Sequence, residues 1–192
     1  MYVNETNGKT SIFDKAIALS LELRLLGSTR KVSTDQVEAD ADKTMLHVSK
    51  DILDSNELKK VRQLDGEIRL FLKRRALPSM FKAGIYLVPF DLIRPVDERI
   101  EEFSVKRTEL IEAFCIAYPA KVKDAETRLR SLFNLKDYPA IDIVRQQFSM
   151  HTQYLAFSVP DTLNAIAADI FDREQAKAEV SWREASSEIR QL

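Results

Sequence analysis

Residues 54–77 read DSNELKKVRQLDGEIRLFLKRRAL, and the fold class turns on this stretch. Leu58, Val61, Leu64, Ile68, Phe71 and Leu72 recur at steps of three and four, which places them on one face of a helix. Asp54 and Glu57 stand at the spacing of an N-terminal cap, and Pro78 supplies the stop. At 100° per residue, Lys59, Arg62, Gly66, Arg69 and Lys73 fall together, roughly opposite the apolar face. Arg74 and Arg75 extend this basic run at its C-terminal end.

Downstream, Ile85-Tyr86-Leu87-Val88 lies between Gly84 and Pro89, a short apolar run that suits a strand. Pro95 then stands where a first-turn proline is tolerated. Val96, Ile100, Phe103, Leu110, Phe114 and Tyr118 form a long helical stripe after it. Pro119 would break or kink that helix, yet Val122, Ala125, Leu129 and Leu132 keep the rhythm. One long helix or two stacked segments both satisfy the pattern. Asp137-Tyr138-Pro139 starts a shorter helix with Ile143, Val144 and Phe148, and the alternation from Gln153 to Val159 predicts a strand. Pro160-Asp161 opens a last helix that is expected to run to the final residue without a cap, as at a truncated domain boundary.

Upstream, Leu19, Leu21, Leu23 and Leu25 alternate with Ser20, Glu22 and Arg24, which predicts a half-buried strand ending at Gly27-Ser28. Ser33 and Gln36 have capping-box spacing, and Val37, Ala41, Met45, Val48 and Ile52 recur at steps of four and three, so a helix is predicted there too. Residues 1–15 are expected to be a flexible N-terminal segment and residues 16–192 a single domain. The class is α+β and predominantly α-helical: long amphipathic helices with a small sheet of two or three short strands.

Composition agrees with that class. Only 4 Gly and 6 Pro leave little room for the turns of an all-β sandwich. A net charge of −1 gives the whole molecule no electrostatic preference for nucleic acid or an anionic membrane, so any such partner needs a local patch. One cysteine precludes an intramolecular disulfide and fits a reducing compartment. With no basic flank before an apolar core at the N-terminus, and no apolar run of about 18 residues, a cytoplasmic protein with no membrane span is expected.

No chemistry-bearing motif stands out. His47 and His151 are distant from each other and from Cys115, so no metal-ligand spacing exists. Cys115, between Phe114 and Ile116, reads as a buried structural thiol, because reactive cysteines need electropositive, partly exposed surroundings. No phosphate-cradling glycine loop or nucleophile elbow is present. No catalytic residue, metal or cofactor is therefore expected. Arg107 interrupts the apolar stripe between Phe103 and Leu110: it either snorkels at the edge of the core or pairs with a buried carboxylate.

The strongest charge feature is the basic stripe. Lys59, Arg62, Arg69, Lys73, Arg74 and Arg75 could follow phosphates, with Gly66 allowing close approach, or meet an acidic protein, or stay solvated. Its acidic counterpart is Asp97, Glu98, Glu101, Glu102, Glu109 and Glu112 on the next long helix.

The order of features resembles a bacterial and phage family known as domain of unknown function 3150. Leu26-Gly27-Ser28-Thr29-Arg30-Lys31, the Val48-Ser49-Lys50 region and Leu64-Asp65-Gly66-Glu67-Ile68-Arg69 carry the resemblance. Gly84 to Pro89 leading into a helix ending at Tyr118, and Val159-Pro160, complete it over roughly residues 16–172. It implies no catalytic residues. Its members are often encoded near MoxR-type AAA ATPases and von Willebrand A-domain proteins, so it implies a non-enzymatic accessory or adaptor subunit of a larger assembly, with an AAA ATPase as protein partner. The alternative is a small nucleic-acid-binding subunit of a ribonucleoprotein or mobile-element complex, using the stripe of residues 59–75.

Overall fold

A computed structural model describes residues 15–77, 83–155 and, within 167–180, residues 167–170, 172–173, 176–177 and 180. The expected N-terminal segment falls almost wholly outside the described residues, as do the end of the expected strand at 156–159 and most of the expected last helix. The fold is α+β and predominantly helical. The elements are β1 (Ala16–Arg24), β2 (Thr29–Val32), β3 (Val48–Asp51), α1 (Asn56–Arg75), β4 (Ile85–Pro89), α2 (Ile93–Leu129), α3 (Ile141–Gln146) and β5 (Ser149–Leu155). They are grouped into two compact units, and the chain passes between the units within β1, α1, α2 and β5.

The first unit holds residues through Glu22, Ile68–Ile100 and those from His151 onward. Its sheet has the order β4-β1-β5, with β1 central and antiparallel to β4 in a register that pairs Ala18 with Leu87 and Leu19 with Tyr86. Ala16 and Ala18 on one face of β1, and Leu19 and Leu21 on the other, are all buried. Leu77, Ile85 and Leu155 close over Ala16, Ala18 and Leu87. Gly84 enters β4 at φ +93°, and a Cβ there would lie 3.0 Å from the Leu21 carbonyl, so the turn requires glycine. Tyr154 donates to Asp97 at 3.2 Å, and its phenol is pushed up to about 12, first by burial and then by that carboxylate.

The second unit holds Leu23–Glu67 and Glu101–Met150. Leu58 and Val61 of α1 meet Ile111, Phe114, Cys115 and Tyr118 of α2 in one core, joined by Ile52, Leu53, Tyr138 and Val144. Phe114 stands edge-on to Phe148, and Phe133 stacks on Tyr138 at 5.0 Å between ring centroids. The cap of α1 is Ser55, one residue beyond the expected Asp54. Its carbonyl accepts the first helical bond from Lys59 N–H, and its hydroxyl oxygen accepts from Leu58 N–H. Pro119 sits inside α2, which runs through it as one continuous helix of 37 residues.

The predicted helix over residues 33–52 does not form. Instead β2 and β3 pair antiparallel as a separate two-stranded sheet, Val32 opposite Val48 and Thr29 opposite Asp51. Residues 33–47 connect them through two short 3₁₀ turns, Thr34–Gln36 and Lys43–Met45. Ser33 Oγ accepts from Asp35 N–H rather than from Gln36, and Asp42 Oδ1 accepts from Thr44 N–H at 3.0 Å. Such local bonds satisfy the backbone in turns and compete with helix. Of the supposed stripe, Ile52 is buried in the core beyond β3, whereas Ala41 and Met45 in the connection are exposed.

Candidate functional site

The six basic positions of the stripe do not act alike. Lys59 pairs with Asp54 at 3.0 Å, and Arg62 donates to Ser28 Oγ, so both are engaged inside the second unit. Arg75 lies 4.5 Å over the Phe71 ring as a cation–π pair. Arg69, Lys73 and Arg74 are exposed along the outer side of α1. Gly66 is exposed on the same helix, and a Cβ built there would meet nothing within 4 Å. Glycine in a helix interior costs about 1 kcal/mol relative to alanine. At Gly66 the neighbouring described atoms return nothing for that cost.

Lys59 and Arg62 line a cleft of about 450 Å³ in the second unit, with Ser28, Asp51, Asp54, Asp124 and Arg128. Arg128 bridges Asp54 and Asp124, each at 3.2 Å. Lys59 and Arg128 hold the Asp54 carboxyl below the usual carboxylate range through hydrogen bonds and charge. Three cations facing three carboxylates make this cleft an internally compensated network rather than a charged trap for a ligand.

Arg107 resolves to the sharper of its two readings. Its Nε donates to Asp65 Oδ1 at 2.8 Å, with side-chain exposures of 3% and 1%, and its Nη2 donates to the Arg24 carbonyl at 2.8 Å. A planar guanidinium meets both a carboxylate and a backbone oxygen here, which satisfies the buried charges. Sequence spacing exposed Arg107 as an anomaly but gave no means of choosing Asp65 among many acids.

Cys115 is buried against the α2 core, and burial pushes its thiol up, with Glu112 adding and Arg145 opposing. The thiolate is thereby disfavoured, as a core role requires. Among the described residues, no group of three or more His, Cys, Asp or Glu could hold a metal ion, and no helix is long and apolar enough to cross a membrane.

The sequence-based reading missed the connection between β2 and β3. Residues 33–47 carry Asp35, Glu38, Asp40 and Asp42 against Lys43, and nearly every side chain is solvent-facing. Met45 is 80% exposed there. The arm is nonetheless built, by two capped turns and by a base fixed in place. At that base Lys50 bonds Asp137 at 2.7 Å and the Leu132 carbonyl, and Ile52 N–H donates to Ser28 O at 2.8 Å. Connections of this length are uncommon in compact domains and usually functional or disordered.

The chain matches no family model, and neither the curated proteins nor the solved structures contain a match to it.

Proposed function

We propose that this protein is a non-enzymatic accessory or adaptor subunit of a larger assembly, and that it engages a protein partner through the β2–β3 arm. The observation that carries this reading is the arm itself: an exposed, acidic, turn-capped excursion with Met45 presented to solvent. A flexible thioether among carboxylates suits a basic surface with an apolar pocket. A MoxR-type AAA ATPase is the partner class implied by the resemblance to family 3150. The engagement of Lys59 and Arg62 within the fold leaves a shorter cationic row than a phosphate-tracking stripe would use, which favours a protein partner over nucleic acid.

The test removes the arm without disturbing its base. Val32 and Val48 are direct antiparallel partners, so residues 33–47 can be replaced by Asn-Gly as a two-residue hairpin turn. Affinity purification from the native host with mass spectrometry is expected to recover an ATPase with the full chain and to lose it with the shortened one. Equal recovery from both, or nucleic acid in place of a protein partner, would refute the reading.

A further inference from the structure

The cleft of the second unit is lined by six charged side chains, and they divide into two groups. Lys59, Asp54, Arg128 and Asp124 are tied to one another by ion pairs of 3.0 to 3.2 Å. Arg62 and Asp51 stand outside that network: among the described residues, neither forms an ion pair. Both are nevertheless fixed in place. Arg62 Nη2 donates to the hydroxyl of Ser28, a buried residue whose carbonyl accepts from Ile52 N–H at 2.8 Å. That hydroxyl accepts from Arg62 and keeps its own O–H to donate. Asp51 ends β3 directly opposite Thr29 of β2. Between these groups the lining is apolar, from Ile52, Leu53 and Ala125, all buried.

We infer that this cleft binds a small zwitterion with an aliphatic side chain, an amino acid or a short peptide. Its carboxylate would meet Arg62 and Ser28, and its ammonium group Asp51. The balance of charge selects that class. The six groups sum to zero, so a phosphate on Arg62 would share the cleft with three carboxylates. Among the described residues, no three His, Cys, Asp or Glu converge to hold a metal ion. A sugar or nucleobase would gain from an aromatic face, and no described aromatic ring lines the cleft. A ligand of both signs instead satisfies the two groups that the network leaves over. A guanidinium held by a hydroxyl retains further N–H groups for a carboxylate, and two groups fixed beforehand lose little freedom on binding. A volume of about 450 Å³ lies within the usual range for small-ligand sites. This site goes beyond the adaptor reading and does not depend on it, since the arm leaves β2 and β3 at Val32 and Val48, the end away from Asp51.

Isothermal titration calorimetry on the full chain tests this with L-leucine and L-leucyl-L-leucine, which separates a single amino acid from a peptide. At least one is expected to bind at millimolar concentration or below. Removing the binder's carboxylate, as its amide, or its ammonium group, as its deaminated acid, should each weaken binding on the order of tenfold or more, as loss of a charged hydrogen bond implies. For leucine these analogues are leucinamide and isocaproate. Two variants then assign the ends. In Arg62→Gln the advantage of the zwitterion over its amide should vanish, and in Asp51→Asn its advantage over the deaminated acid should vanish. The comparison of analogues uses the native chain, so a variant that fails to fold leaves it standing as the test. Silence of both probes, an analogue that binds as well as its parent, or folded variants that discriminate as the native chain does would overturn the inference. So would inorganic phosphate binding more tightly than either zwitterion.

Discussion

Helix α1 and the segment of residues 33–52 carry the same apolar spacing, yet one is a helix of 20 residues and the other is an arm on a two-stranded sheet. The difference lies in what stands behind the spacing. In α1 the stripe is Leu58, Val61, Leu64, Ile68 and Leu72, all large and all buried. In the arm it thins to Val37, Ala41 and Met45, which are too few and too small to anchor a packed face. Around them stand Asp35, Asp40 and Asp42, whose short side chains favour turns. The two serines at the front of the segments teach the same lesson. Ser55 bonds the amide three residues on and opens a helix, while Ser33 bonds the amide two residues on and closes a turn. Periodicity says where a helix could bury itself. Burial decides whether it does.

The comparison can be broken most sharply at the buried pair under α1. Replacing Arg107 with Ala removes the guanidinium that meets Asp65 in the core, and urea unfolding should show a loss of about 3–5 kcal/mol. Replacing Asp65 with Leu and Arg107 with Met together should recover most of that loss. Next in size, Leu58→Ala should cost about 2–5 kcal/mol by the same measurement. Met45→Ala in the arm should stay within about 0.5 kcal/mol, since it removes no core contact. A Met45 effect as large as that of Leu58 would mean the arm is packed in solution.

The smallest contrast concerns the caps. Ser55→Ala should cost about 1 kcal/mol and Ser33→Ala only a few tenths. A pH series sharpens this pair. Ser55 donates to Glu57 at 2.7 Å, and that hydrogen bond is the leading cause holding the Glu57 carboxyl below its ordinary value. A depressed carboxylate contributes stability above its unfolded value and loses it as pH falls through the folded one. The deficit of Ser55→Ala should therefore narrow in acid, with denaturant midpoints as the readout.

The elements legible in the sequence were those whose side chains do one job. The alternation of Leu19, Leu21 and Leu23 marked β1, Gly84 and Pro89 bracketed β4, and the stripe from Val96 to Tyr118 marked α2. The alternation beginning at Gln153 found β5, although the strand lies earlier, at Ser149–Leu155. The pair β2 and β3 stayed hidden because its half-buried positions are Arg30, Val32, Val48 and Lys50. Two of the four are charged and are placed by Asp137, more than 80 residues away in the chain. Local pattern carries no information about such a partner. The stripe on α1 was visible for the same reason α1 itself was, but the engagement of Lys59 by Asp54 and of Arg62 by Ser28 came only with the tertiary structure.

Pro119 has a consequence for how α2 breathes. Lacking an N–H, it cannot close the ring back to the Cys115 carbonyl, so the hydrogen-bond ladder of this helix has a missing rung. A ladder interrupted in this way is a seam along which local opening can stop. Amides before the seam, beside Phe114 and Cys115, lie over the aromatic core. Those after it are held by little more than Val122, Ala125 and Leu129. In native-state hydrogen exchange, α2 should behave as two blocks, with its C-terminal block trading deuterium first.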